Sequence, residues 1–426
     1  MRLAGRTVVA EQVVTKEWRR NYYILILSVV SMQITSSTIY MVLPLFFTNY
    51  GISNTENGLL ISIGTLAGII SGLVAGKFSD NYGRKRFLVA GTALYSVVFF
   101  LFAVLSKDFG TFLVLRFVEG FGFYAMPVMV TAMAADIFPV KERGRAMGLY
   151  SMSSGMGQLI GPLVAPLLIQ GSDFNVYFLF SGGFVVVSAI AMALFVKETL
   201  PPELRAVRKE GGKRIDVKGF LSSVRGLGLV VGVFLAAVLL YRTGYTMIDP
   251  FFSLYLKEVV GVDLSSMSYF FALRAVCTMA FAPLAGWIAD RYGRKPAFLT
   301  GIALTVVTLV GYTRISGFAD VLLIRAIDAT GSVILLTSIR TFMADLLAPE
   351  VRGFGMGLYS TVTQESSTMG AIFGGVVIDM YGFNMVFLIA ATAAALSLIV
   401  VQLWVPEPAR MKGRGAGKAQ GPQAAR

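Results

Sequence analysis

Histidine is absent from all 426 residues, and cysteine occurs once, at Cys277. Without histidine no H-E-x-x-H zinc site can form, and no imidazole is available to titrate near neutral pH. A lone cysteine makes no intrachain disulfide, and Cys277, inside an apolar run, reads as core packing. No G-x-x-x-x-G-K-[ST] loop is present to cradle a nucleotide. These absences point away from an enzyme and predict no metal and no cofactor. Charge is scarce as well. Asp, Glu, Lys and Arg make up 14% of the chain against 56% hydrophobic residues, with mean hydropathy +0.72. Such a chain has too little polar surface to fold as a water-covered globule, so lipid is the expected solvent.

What is present is a series of long apolar runs. A helix needs roughly 20 apolar residues to cross a hydrocarbon layer about 30 Å thick. Twelve such runs occur, at about 22–45, 56–76, 86–106, 111–133, 146–169, 176–196, 225–256, 265–285, 297–314, 319–342, 354–378 and 384–404. They are continuously apolar rather than alternating, which excludes a transmembrane β-barrel and predicts an all-α integral membrane protein. The first run is long enough to span and lacks a small-residue cleavage pattern, so it reads as a retained helix.

Net charge +13 invites a nucleic-acid reading, which the distribution of charge removes. Of the 37 Lys and Arg, 29 fall in the N-terminal segment, the loops around Arg84, Arg143, Arg208, Arg294 and Arg352, and the C-terminal tail. The opposite loops hold Lys107, Lys257 and Arg314, and five lie within runs. This is the positive-inside pattern, predicting both termini in the cytoplasm and no nucleic-acid partner.

The two halves repeat. Gly76, Asp80, Gly83, Arg84 and Lys85 recur 210 residues later as Gly286, Asp290, Gly293, Arg294 and Lys295. Arg116, Glu119, Asp136, Arg143 and the "MGLY" at 147–150 recur 209 later as Arg325, Asp328, Asp345, Arg352 and a second "MGLY". The expected organisation is therefore a cytoplasmic segment 1–21, a six-helix bundle 22–196, a charged linker 197–224, a second six-helix bundle 225–404 and a basic, low-complexity tail 405–426 that touches lipid head groups. Duplicated bundles without an ATPase point to a secondary transporter working by alternating access.

The doubled G-x-x-x-D-x-x-G-R-[KR] pattern resembles the signature of the major facilitator superfamily, and the resemblance spans about Tyr22 to Trp404. It implies that the motif latches the cytoplasmic side, with Asp80 near the start of the eleventh helix and Arg84 reaching Asp136. A plain topological role for the cations is the alternative. Asn81 departs from the pattern, standing where the family often has a basic residue. "LRFVEG" in the fourth helix is similar to the R-x-x-Q-G of drug/proton antiporters, with Glu119 in place of glutamine. Arg116 and Glu119, three apart, share a helical face. They read either as a proton site, Glu119 titrating beside Arg116, or as a structural ion pair, and Arg325 with Asp328 carries the same two readings. "GMGQLIGP" resembles the antiporter motif of helix five; Gly157 and Gly161 allow close packing and Pro162 predicts a kink, while Ala165 and Pro166 replace the usual closing glycines.

Departures from the repeat concentrate in the second half: Arg242, Asp249, Arg274 and Glu365, where the first half has Ser36, Leu43 and Gly64 opposite the first three. Arg242 and Asp249, seven apart, are expected on one face of the seventh helix. Gln33, Ser36 and Tyr40 belong to a polar stretch of the first helix suited to a cavity. Proton-coupled export of small amphipathic organic compounds is the first functional expectation, with Glu119, Asp249, Asp328 and Glu365 as coupling carboxylates and Arg116, Gln33, Ser36, Tyr40, Arg242, Arg274 and Arg325 as cavity residues. Uptake or exchange of small organic anions is the second, resting on Arg242 and Arg274. A non-transporting membrane sensor is the third. The expected partners are a small-molecule substrate, protons and lipid, for a monomer in a prokaryotic plasma (inner) membrane.

Overall fold

A helix surrounded by lipid satisfies its backbone polar groups internally, and the described residues are predominantly helical. The computed structural model describes residues 16–171, 173–200, 228–315, 317–347 and 351–408. The predicted linker beyond Leu200 and the tail beyond Pro408 lie outside the described residues, as does the N-terminal segment before Lys16. The elements are α1 (Lys16–Ser37), α2 (Ile39–Asn49), α3 (Asn54–Tyr82), α4 (Arg84–Val104), α5 (Phe109–Ile137), α6 (Val140–Leu168) and α7 (Asn175–Phe195). They continue as α8 (Gly228–Thr246), a 3-10 turn (Asp249–Phe251), α9 (Phe252–Tyr255), a π-helical turn (Leu256–Val260), α10 (Leu264–Tyr292), α11 (Arg294–Tyr312), α12 (Phe318–Leu346), α13 (Arg352–Tyr381) and α14 (Phe383–Trp404).

Twelve spans result once α1–α2 and the broken segment from α8 to Val260 each count as one. Among the described residues, nine helices are long and apolar enough to cross a membrane, and the α1–α2 pair, bent by 41°, makes a tenth. The other two, α6 and α13, are long enough at 29 and 30 residues but rich in Gly and Ser. They occupy equivalent places in the two repeats.

The chain divides into two compact units, Met1–Tyr50 with Ile63–Lys213 and Gly51–Ser62 with Arg214–Arg426. In the first, α4 packs on α5 and α7, and α1 packs on α6 and α7. In the second, α11 packs on α12 and α14, and α8 packs on α13 and α14. Small residues set the closest crossings of both. A Cβ at Gly122 would lie 2.9 Å from the Gly91 carbonyl oxygen, and one at the equivalent Gly331 would lie 2.9 Å from Leu304 Cβ. Buried hydroxyls add directional ties: Ser188 donates to the Ser28 carbonyl, and the equivalent Ser397 donates to the Ala237 carbonyl at 2.8 Å. Asp108 caps α5, its carboxyl held below the ordinary aspartate range by the Thr111 N–H and hydroxyl.

One expectation about helix shape changes. The seventh span does not run unbroken from Arg242 to Asp249, because α8 stops at Thr246. Pro250 lacks an N–H and its ring clashes with the carbonyl four residues back, which is that of Thr246. The two-turn spacing of Arg242 and Asp249 therefore does not apply. The fifth span, α6, contains Pro162 and Pro166 within one continuous helix.

The contact of α1 with α6 tests whether small residues are required at Gly161, where a Cβ would fall 2.2 Å from Ser37 Oγ and 2.4 Å from the Ile34 carbonyl oxygen. Gly161→Ala is expected to lower stability by about 1–3 kcal/mol, the usual cost of overpacking. Gly183→Ala, with open space around the added methyl, should be neutral or better; thermal melting in detergent checks both.

Candidate functional site

Each unit carries a charged cluster at the start of the helix that follows the repeated motif. Gly83 (φ 101°) and Gly293 (φ 105°) sit in a backbone region that side chains disfavour, letting the chain turn into α4 and α11. In the first unit Arg84, 6% exposed, pairs with Asp80 at 2.6 Å and Asp136 at 3.3 Å and donates to Ser79 Oγ at 2.6 Å. In the second, Arg294 pairs with Asp290 at 2.6 Å and Asp345 at 3.0 Å. The reach of Arg84 to Asp136 is thus present twice. At Gly76 and Gly286 a Cβ would meet nothing within 4 Å; the second glycine of each motif, at positive φ, is the one its backbone requires.

A carboxylate that the sequence reading did not single out completes each cluster. Glu198 accepts the backbone N–H groups of Arg84 at 2.9 Å and Lys85 at 3.2 Å. Glu407 accepts those of Arg294 at 2.8 Å and Lys295 at 2.9 Å. Each carboxylate sits just past the last helix of its bundle and neutralises the positive, donor-rich start of α4 or α11. The two are 209 residues apart, the displacement of the repeat, and that was the available signal. Arg143 is placed differently: it donates to the Phe138 and Ala135 carbonyls, closing the end of α5. Its counterpart Arg352 opens α13, exposed.

Deeper in the first unit, Arg116 and Glu119 on α5 form a buried ion pair, 4% and 3% exposed. They border a cavity of about 130 Å³ lined also by Ser36, Tyr40, Gly64, Thr65, Phe123 and Tyr124. Gly64 makes room for the guanidinium, since a Cβ there would lie 2.6 Å from Arg116 Nη2. Gly120 lets α5 approach α3, where a Cβ would lie 2.0 Å from the Gly64 oxygen. The volume suits about four waters or one functional group of a ligand. Of the first-helix candidates, Ser36 and Tyr40 line this cavity, while Gln33 is buried against α6, a Cβ at Gly157 falling 2.6 Å from its backbone. Ser37 Oγ donates to the Gly157 carbonyl at 2.7 Å, and Thr246 Oγ1 donates to the equivalent Ser366 carbonyl at 2.7 Å. The helix-five glycines therefore serve a packing contact that the second unit also makes.

The second unit fills the corresponding space. Arg325 bonds Asp328 at 3.3 Å and lies 4.0 Å over the Phe252 ring, with its Nε and Nη2 unpartnered among the described residues. Asp328 also accepts from the Tyr245 hydroxyl at 3.2 Å. Tyr245, Phe252, Tyr312 and Phe387 close the cavity to about 10 Å³, room for one water. Arg274 and Asp249 form an ion pair across the turn after α8. The structure places Asp249 opposite Tyr40 rather than Leu43, since Ser36, Ile39 and Tyr40 line the first cavity where Tyr245, Ile248 and Asp249 line the second, and Arg274 and Asp249 neutralise each other. Arg242 keeps a buried Nε without a partner, and Glu365 is half-buried on α13 with no ion pair among the described residues.

Comparison with known proteins agrees with this arrangement. The Major Facilitator Superfamily family model matches residues 25–241 and 234–426. The chain is 25% identical to "Multidrug resistance protein 2" of Bacillus subtilis over 85% of its own length and 90% of that protein's. It is 24% identical to "Multidrug resistance protein MdtG" of Proteus mirabilis over 90% and 95%, and 23% identical to "Quinolone resistance protein NorA" of Staphylococcus aureus over 80% and 85%. Among solved structures, a bacterial homolog of the human lysosomal transporter Spinster superposes with TM-score 0.71 at 15% identity, covering 96% of this chain and all of that one. The nucleoside transporter NupG gives 0.71 at 12%, covering 91% and 98%.

The carboxylates at the helix starts give a direct expectation. Glu198→Ala and Glu407→Ala should each cost about 1 kcal/mol, the usual loss when helix-start donors lose their acceptor, and Glu198→Gln less. Melting of the purified variants measures both.

Proposed function

Since this chain belongs to the major facilitator superfamily and is a multi-pass membrane transporter, we propose that it exports small amphipathic organic compounds in exchange for protons, with both termini in the cytoplasm. Glu119 is the coupling carboxylate in this reading. The observation that carries it is the buried Arg116–Glu119 pair beside a cavity with aromatic walls. An ion pair between two residues of one helix does not itself tie that helix to another, so holding the bundle together is a poor account of it. An ionisable pair inside a membrane is expensive, and a proton or a cationic substrate that competes with Arg116 for the carboxylate gives it a use.

The other carboxylates are less suited. Asp328 is committed to Tyr245 on another helix as well as to Arg325, and Asp249 is committed to Arg274. Glu365, without an ion pair among the described residues, is the remaining candidate. Tyr40, Phe123 and Tyr124 offer apolar and π faces to one end of a substrate. The relatives named for multidrug and quinolone resistance support such a cargo. The pairing of Arg274 favours it over small organic anions, because that guanidinium already has its counter-ion.

Vesicles containing the purified protein, with an imposed pH gradient and a fluorescent amphipathic cation, test the reading. Wild type should accumulate the dye against its gradient. Glu119→Gln should lose gradient-driven accumulation by about tenfold or more while keeping dye exchange without a gradient. Accumulation indifferent to pH in the wild type would sink the coupling, and loss in Glu365→Gln but not Glu119→Gln would move it to α13.

A further inference from the structure

Between α4 and α7 the first unit leaves a groove of about 310 Å³ that has nothing to do with the interior cavity. It is lined by Val89, Ala93, Val97 and Phe100 of α4 and Val186, Ala189, Ile190 and Ala193 of α7. Both helices are membrane spans, and Ala93, Val97, Ile190 and Ala193 are exposed. Ser96, the polar residue at its edge, donates its hydroxyl to the Gly182 carbonyl at 2.8 Å and so presents no free polar group.

The groove has a length and a charged end. Val89 to Phe100 rises about 16 Å along α4, close to half of a hydrocarbon layer of about 30 Å, which is one leaflet. Arg86 lies one turn before Val89 on the same helical face as Ala93 and Val97, by the 100° step of a helix. Its side chain is exposed and makes no ion pair or hydrogen bond among the described residues. The neighbouring carboxylate, Glu198, is spent on backbone N–H groups, and Lys197 is paired with Glu17. The second repeat has Pro296 opposite Arg86 and Leu398 and Gln402 opposite Ala189 and Ala193. The cation and the two α7 alanines are replaced in the other half, where Ala93 alone keeps an alanine counterpart, Ala303.

The geometry points to a binding site for one anionic phospholipid, its acyl chain lying in the groove between α4 and α7 and its phosphate head group held by Arg86. A neutral lipid of the same chains fills the groove but gains nothing from the guanidinium. A basic residue at the membrane surface favours an anionic head group by about fivefold in binding.

Native mass spectrometry of the detergent-solubilised protein, with phosphatidylglycerol or phosphatidylcholine of identical chains added, tests the site. Wild type should retain one phosphatidylglycerol in preference to phosphatidylcholine. Arg86→Gln should lose that preference by about fivefold while still taking up lipid, and Ala93→Trp, which plugs the groove, should lose both lipids. Leu396→Trp, on the exposed face of α14, should behave as wild type. If Ala93→Trp does not fold, Ile190→Trp plugs the same groove from the other wall. An unchanged head-group preference in Arg86→Gln, or equal retention in the plugged variants and Leu396→Trp, would overturn the proposal.

Discussion

A guanidinium in a lipid-embedded helix is stabilised by a counter-ion beside it, and three of the arginines within the spans of this transporter are arranged that way. Little water reaches the charge there, and leaving it unpaired is expensive. Arg116 has Glu119, Arg325 has Asp328 and Arg274 has Asp249. Two of these pairs lie within a single helix at a spacing of three residues. Helix geometry alone brings those partners together, whatever the rest of the fold does.

This explains what could be read from the chain before its structure. Ten of the spans follow from apolarity and length, α6 and α13 from their length and matching places in the repeat, and the pairs Arg116–Glu119 and Arg325–Asp328 from helical spacing. The reach of Arg84 to Asp136 followed from the family resemblance. The Arg274–Asp249 pair was not legible, because it joins residues on different elements and depends on a helix stopping at Thr246. The two were noticed separately, as departures from the repeat, without a reason to join them. Glu198 and Glu407 escaped because they stand in charged, proline-containing stretches that read as linker and tail. Asp379 had no signal in the repeat at all: it takes the N–H groups of Asn54 and Thr55 at the start of α3, while the position 209 residues before it is Gln170.

The two units share a plan and differ in how full their interiors are. At the first unit's cavity, Gly64 leaves room beside Arg116, and Ser36 and Tyr40 line the free space. In the second, Tyr245, Asp249 and Arg274 occupy the equivalent positions and spend the space on bonds to one another and to Asp328. One unit thus keeps an ion pair beside free volume, the other an ion-pair network with almost none. Chemistry that needs a mobile proton or guest suits the first, and rigidity suits the second.

Glu198 and Glu407 each join the end of a six-helix bundle to the start of its third helix. A bundle that closes on its own last residues carries its charged cluster as a property of one half. Doubling such a unit copies the whole device without any new contact having to arise between the copies. The interiors are then free to diverge, one opening and the other filling, while the clasp stays with whichever sequence folds around it.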